Sequence, residues 1–229
     1  MEQGYQRLSQ LPTRASDAAV SAWHQDRYSA TAYRRHLHLK RAFDILGSLV
    51  IVFVLLPLLT VISIAIVIES GFPILFLQKR PGKDGLIFTI YKFRTMHRNN
   101  KEIERQALHN DPRTTRVGKF LRRSSLDELP QLINVLLGHM SLVGPRPHPL
   151  WLDTKFTDRI KNYCHRTSMK PGITGLAQIS GARGETKEDH EMELRVRLDL
   201  QYIEEWSLLL DLKILARTVF VIWVDKRAY

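Results

Sequence analysis

ILGSLVIVFVLLPLLTVISIAIVI, residues 45–68, runs for 24 positions without a charge between Asp44 and Glu69. A straight helix of that length reaches about 36 Å, enough for a hydrocarbon layer about 30 Å thick. Two features argue against a simple rod. Pro57 stands at the middle, where it removes a helix hydrogen bond and bends the axis. Both flanks are basic, with Arg34, Arg35, Lys40 and Arg41 before the run and Lys79, Arg80 and Lys83 after it. The positive-inside rule then places both ends on the cytoplasmic side. A helix bent at Pro57, with two arms that descend about 18 Å each and return, satisfies both observations. A straight span and a buried helix of a soluble core stay open as alternatives, because spanning helices tolerate proline.

The rest of the chain bounds what this segment serves. Of its 229 residues 44% are apolar, enough for a real core. Lys and Arg number 34 against 23 Asp and Glu, a net charge of +11 that needs an acidic partner: nucleic acid, anionic headgroups or phosphorylated substrates. The single cysteine, Cys164, excludes an intrachain disulfide and reads as a free core thiol. Residues 1–37 read as a polar tail without a secretory signal, residues 38–72 as the membrane segment, and residues 73–229 as a compact domain.

Within that domain, residues 74–79 and 86–93 read as strands around the turn-rich Pro81-Gly82-Lys83-Asp84-Gly85. From Lys101 onward the pattern is mainly helical, with Leu152, Phe156 and Ile160 at i, i+4, i+8. The fold class is therefore mainly α with a small β element. Residues 207–224 are strongly apolar but carry Asp211, Lys213 and Arg217. They read as an amphipathic helix in the membrane interface with Trp206 and Trp223 as anchors, a core helix being the alternative.

The chemistry concentrates in GKFLRRSSLDELPQLINVLLGHMSLVGPRP, residues 118–147. Ser125-Leu126-Asp127-Glu128 has capping-box form, which puts both carboxylates near a helix N-terminus just after Arg122 and Arg123. Such carboxylates can simply cap the helix. Kept ionised, one can also act as a nucleophile or hold a divalent cation. Gly144-Pro145-Arg146-Pro147 fixes an arginine in a rigid loop suited to gripping a phosphate, and Tyr91-Lys92-Phe93-Arg94 adds cations at a strand end. Carboxylates among fixed cations at a membrane surface suggest phosphoryl transfer from a diphosphate donor. The chain has no GxxxxGK[ST], GxGxxG, HExxH or Cys/His finger, and its basic residues accompany no nucleic-acid motif. A non-catalytic basic adaptor at a membrane surface is the competing class.

The order Lys40-Arg41-Ala42-Phe43-Asp44, apolar run, Lys92-Phe93-Arg94-Thr95-Met96, Asp111-Pro112-Arg113, Ser125 to Gln131, Gly144 to Pro147 and Lys170-Pro171-Gly172-Ile173-Thr174-Gly175 resembles the bacterial sugar transferase family, the monotopic phosphoglycosyl transferases. The resemblance implies a re-entrant membrane helix hairpin, interfacial helices and a compact cytoplasmic catalytic domain at the bacterial inner membrane. It implies Mg²⁺, a UDP-sugar donor and undecaprenyl phosphate as acceptor, without nucleic acid, in the first membrane step of exopolysaccharide or capsule assembly. Asp127 would attack the sugar-side phosphate and release UMP, and Glu128 would support the metal or the acceptor. Lys92, Arg94, Arg122, Arg146, Gln178 and Arg183 would bind substrate, and Pro57 would make the membrane bend.

Two departures accompany the match. Members commonly carry Ser before the hairpin proline, where this chain has Leu56, which leaves Ser48 or Ser63 to serve the broken backbone. Gly181-Ala182-Arg183-Gly184-Glu185-Thr186 resembles a subgroup with an Arg-Gly-Glu-Thr motif, which favours glucose, then galactose, over N-acetylated sugars. Many members have an extra N-terminal half with four membrane helices, so a short form is expected here. The oligomeric state stays open.

Overall fold

The computed structural model describes residues 30–97, 111–182, 184 and 188–224. The apolar run lies in α1, Ala30–Ser70, a helix of 41 residues that passes through Pro57 and begins inside the segment expected as a tail. It ends where Gly71 adopts φ 73°, a left-handed conformation that glycine takes at little cost. Pro57 has no N–H for the carbonyl four residues earlier. Ser63 Oγ donates to the Leu59 carbonyl at 2.7 Å, and the fully buried Ser48 hydroxyl has no partner among the described residues. The hydroxyl at the proline is Thr60, which donates to the Leu56 carbonyl at 2.9 Å. Such back-bonding favours a local bend.

Both ends of α1 attach to the same domain. On the N-terminal side, Lys40 Nζ reaches Asp211 Oδ2 at 2.6 Å and Asp44 Oδ1 accepts from Ser141 Oγ and the Leu142 amide at 2.9 and 3.0 Å. Arg41 donates to the Val135 and Leu136 carbonyls at 2.6 and 2.9 Å. On the C-terminal side, Glu69 accepts from the Arg116 and Val117 amides at 2.7 and 2.9 Å, while Ile62 and Ile66 bury against Phe93 and Leu121. Between these ties the apolar surface is open, and Phe53 is 80% exposed.

The two expected strands form an antiparallel hairpin, β1 Leu75–Pro81 and β2 Ile87–Phe93, in register Leu75↔Phe93 to Pro81↔Ile87. Next come α2 (Arg116–Ser124), a 3₁₀ turn (Leu126–Glu128) and α3 (Gln131–Leu136). Asn134 pins α3 to the hairpin, accepting from the Tyr91 amide at 3.0 Å and donating to the Thr89 carbonyl at 2.7 Å. Arg41 satisfies the last carbonyls at the C-terminal end of the same helix.

A second, parallel pair joins β3 (Ser141–Val143) to β4 (Gly172–Thr174), with Ser141 opposite Gly172 and Val143 opposite Thr174. α4 (Leu150–Thr157) and a 3₁₀ segment (Tyr163–Ser168) lie between them, and α5 (Leu176–Ile179), α6 (Asp189–Glu205) and α7 (Leu208–Val224) complete the order. Val135, Met140, Val143, Ile203, Trp206 and Ile214 share the main core. Leu152, Phe156 and Ile160 bury in a second one with Tyr163, Met192 and Val196, but α4 ends at Thr157, so Ile160 lies beyond the helix that their spacing implied.

Three expectations need correction. Trp206 is 2% exposed and donates Nε1–H to Asp211 Oδ2 at 3.3 Å, so it belongs to the core and not to an interface. The side chain of Trp223 lies outside the described residues. Cys164 is exposed rather than a core thiol. Ser125 heads no capping box: at φ 56° it ends α2, and its side chain makes no cap hydrogen bond to the 3₁₀ turn. The caps fall elsewhere, on Thr115 for α2 and as a reciprocal Glu188–Glu191 box for α6. α7 divides its faces, with Asp211 and Ile214 buried and Leu209, Leu212, Val219 and Phe220 exposed.

Candidate active site

Asp127 and Glu128 lie in the tight turn between α2 and α3. Glu128 is 16% exposed and holds two cations. Lys92 Nζ, from β2, donates to Oε1 at 2.8 Å, and Arg146 forks onto both oxygens at 3.0 and 2.5 Å. Burial alone would raise the Glu128 carboxyl, but Arg146 and Lys92 outweigh it and hold the group well below the ordinary glutamate range. Asp127 takes the opposite course. Burial and the neighbouring Glu128 charge push it up to about 6, against the pull of Lys92, Arg122 and Arg146. Among the described residues Asp127 accepts no hydrogen bond. The turn thus holds one carboxylate already neutralised by cations and one with its lone pairs open.

Arg146 is aimed by a built loop. Gly144 donates to the Thr174 carbonyl at 2.9 Å, and Gly172 donates to the Pro145 carbonyl at 2.9 Å. A Cβ on Gly144 would fall 2.4 Å from the Lys170 carbonyl oxygen, so only glycine permits this crossing of two chain segments. The Pro147 carbonyl accepts from Arg80 Nη1 at 2.8 Å and the Arg146 carbonyl from Arg166 Nη2 at 2.7 Å.

The structure brings together Asp127, Glu128, Lys92, Arg122 and Arg146, with Arg122 steadied by Nε–H to Thr95 Oγ1 at 2.9 Å. Arg94 is placed apart from them. Its Nη2 donates to the Ser70 carbonyl and hydroxyl at 2.9 and 2.8 Å and to the Gly71 carbonyl, which caps α1. Gln178 is 8% exposed and packs where Gly175 meets the Gly144 carbonyl, donating to the Ile173 carbonyl at 3.3 Å. Arg183 lies outside the described residues. Sequence reasoning missed Arg80, read only as a membrane flank, and Arg166, which stands in no motif. The alternation of β1, with Gln78 and Arg80 on one face, was the only available signal for the first.

Among the described residues no cluster of three or more His, Cys, Asp or Glu could hold a metal by itself. The donor chemistry nevertheless fits Mg²⁺, which commonly takes one or two carboxylates and completes its shell with substrate phosphates and water. Asp127 is the open carboxylate for that role, and Glu128 could join it by releasing a cation.

A family model described as bacterial sugar transferase matches residues 35–225. The chain is 50% identical over 192 residues to the UDP-glucose:undecaprenyl-phosphate glucose-1-phosphate transferase of Escherichia coli K12, covering 83% of this chain and 41% of that one. It is 46% identical over 191 residues to the protein of that name in Caulobacter vibrioides, covering 83% and 72%. With the exopolysaccharide production protein PSS of Rhizobium leguminosarum the identity is 43% over 188 residues, covering 80% and 94%. The chain thus spans about two fifths of the E. coli relative's length (41%) and nearly all of the Rhizobium one (94%). With the family match running from the base of α1 to the end of α7 and enclosing every residue of the carboxylate turn, the chain belongs to the bacterial sugar transferase family.

Proposed function

We propose that the chain transfers a hexose 1-phosphate from a UDP-sugar to undecaprenyl phosphate at the cytoplasmic face of a bacterial inner membrane, in the first membrane step of exopolysaccharide or capsule assembly. The observation that carries this reading is the asymmetry of the carboxylate turn. Glu128 is charge-neutralised, while Asp127 is open and ringed by Lys92, Arg122 and Arg146. A basic adaptor would need neither carboxylate. In the first step an Asp127 oxygen attacks the phosphorus bearing the sugar. The bond from that phosphorus to the bridging oxygen breaks, and UMP leaves with the electron pair. In the second, an oxygen of undecaprenyl phosphate attacks the same phosphorus, and Asp127 departs as a carboxylate. Lys92, Arg122 and Arg146 neutralise the oxygens on which charge collects. Mg²⁺, when bound by Asp127 and Glu128 with the donor's phosphates, supplies further neutralisation there. Glucose is the favoured sugar, in keeping with the names of the E. coli and Caulobacter relatives, and galactose the next.

Membrane placement is part of the proposal: α1 enters and returns, bent at Pro57. Lys40 and Glu69 are tied to one domain although 29 residues apart in one helix. A straight rod would separate them by about 44 Å, wider than the roughly 38 Å diameter of a globule of about 150 residues. A bend shortens that separation. The exposed face of α7 would then lie in the interface.

Purified chain mixed with Mg²⁺ and a panel of UDP-sugars, without acceptor, should release one equivalent of UMP with one donor and carry a phosphohexose on the peptide containing Asp127. Undecaprenyl phosphate should convert this to multiple turnovers. Full turnover by Asp127→Asn would remove the nucleophile assignment.

A further inference from the structure

Arg146 reaches Glu128 from a loop whose own carbonyls are held from behind. Arg166, in the 3₁₀ segment Tyr163–Ser168, is 6% exposed, and its guanidinium serves three partners at once. Nε–H donates to Asp199 Oδ2 at 2.8 Å, Nη1 lies 2.9 Å from His148 Nδ1, and Nη2 donates to the Arg146 carbonyl at 2.7 Å. The ring of Tyr163 lies beneath the guanidinium, 5.1 Å from centroid to Cζ. His148, two residues past Arg146, is 3% exposed, and the Tyr163 hydroxyl stands between its Nδ1 at 2.7 Å and Asp153 Oδ1 at 2.6 Å, with one proton to share between them. Burial and then the charges of Arg166, Arg195, Arg80 and Arg146 hold the His148 ring well below its ordinary pKa, so it can accept from Arg166. None of these groups touches Asp127. They lie behind the loop, and their fixed donors fall on Arg146 and His148.

We propose that Arg166, oriented by Asp199, is a positioning residue for Arg146: its planar fork locks the Arg146 main chain so that the Arg146 side chain lies across Glu128 and beside Asp127. A flexible arginine on a free loop would lose several rotatable bonds' worth of entropy each time it met the donor's phosphates. Here that ordering is built in before substrate arrives. The planar shape matters, because a lysine ammonium is a point donor and cannot span Asp199, His148 and the Arg146 carbonyl together.

This inference rests on the proposed transferase reading, and its tests separate the two. In the full chain with UDP-glucose, Mg²⁺ and undecaprenyl phosphate, Arg166→Lys should lower kcat/KM at least tenfold while the melting temperature stays within a few degrees. In an Arg146→Ala background the same substitution should cost less than threefold, because a residue acting through Arg146 has nothing left to position. Equal losses in both backgrounds, or an Arg166→Lys protein within twofold of wild type, would overturn the proposal. Should Arg166→Lys fail to fold, Asp199→Asn, which keeps an acceptor for Nε, should show the same non-additivity with a smaller loss. Hydrogen exchange gives a readout free of activity. The Gly144 and Gly172 amides, which donate across the Arg146 loop to the Thr174 and Pro145 carbonyls, should exchange at least tenfold faster in either variant, with β1 and β2 unchanged. Absence of turnover in the wild type with every donor removes the transferase reading alone, and the exchange result then decides the positioning role.

Discussion

Replacing Asp211 by leucine strands a buried lysine. Lys40 and Asp211 meet at 2.6 Å with side chains only 7% and 1% exposed. At that separation and an effective dielectric near 20 the attraction is about 6 kcal/mol, and desolvating the two ions offsets much of it. The intact pair therefore adds little net stability. Its loss on one side is another matter. Without Asp211, Lys40 keeps the Val143 carbonyl at 3.0 Å, the Tyr202 hydroxyl at 3.4 Å, the Trp206 ring 5.9 Å away and the charge of nearby Asp44, while Tyr202 and Trp206 lose their shared acceptor. Orphaning one partner of such a pair costs about 3–5 kcal/mol, which for a chain of this size lowers Tm by roughly 6–20 °C. Lys40→Met/Asp211→Leu, which removes both charges, should recover most of that loss. Melting in detergent, followed by fluorescence, reads all the variants, and Trp206 lies against the perturbed site. A Tm drop below 2 °C for Asp211→Leu, or a double variant whose loss equals the sum of the singles, would refute the account of a clamp between α1 and α7.

Glu128→Gln should keep a hydrogen-bond acceptor but release the charge that holds Lys92 and Arg146, with kcat falling about 10²–10³-fold as for other preorganised electrostatic groups; a kcat within threefold of wild type contradicts its role. Asp153 gives a pH signature in stability. Burial raises its carboxyl from 3.8 to about 6 in the folded chain, so the native state holds the proton more tightly and the stability this confers is lost as pH rises from about 4 through 6. Relative to Asp153→Asn, wild type should be more stable at pH 4 than at pH 7 by up to about 3 kcal/mol. A Tm difference between the two proteins that stays constant across that range would refute it.

The legible parts of this fold were those written in local pattern. A charge-free run stands out in any sequence, and the turn-rich stretch ending at Gly85 separates two strand-like runs, although Pro81 itself closes β1 opposite Ile87. The carboxylate turn was also found, with the wrong geometry: Ser125 looked like a cap because Glu128 stands three residues on, but a left-handed Ser125 instead ends the preceding helix. Long-range partners were invisible. Asp211 argued for an interfacial helix only while Lys40, 171 positions away, was unknown as its counter-ion, and that pairing is what draws Trp206 into the core. The parallel β3–β4 contact has three residues on each side, too few for any periodicity to register. Arg94 sits in a basic motif beside Lys92, yet the end of α1 takes its guanidinium, because the last carbonyls of a helix need donors.

The capping of α3 by Arg41 ties α1 directly to the helix that follows the carboxylate turn. α3 starts three positions after Glu128 and is held at its far end by a residue that stands four positions before the apolar run. Under the re-entrant placement, the depth at which α1 settles in the leaflet sets the height of Asp127 above the headgroups. On the proposed reading the chain would then act as a gauge. A lipid-borne phosphate would, on that reading, be presented at one fixed level, and a donor from the cytosol would have to descend to meet it there.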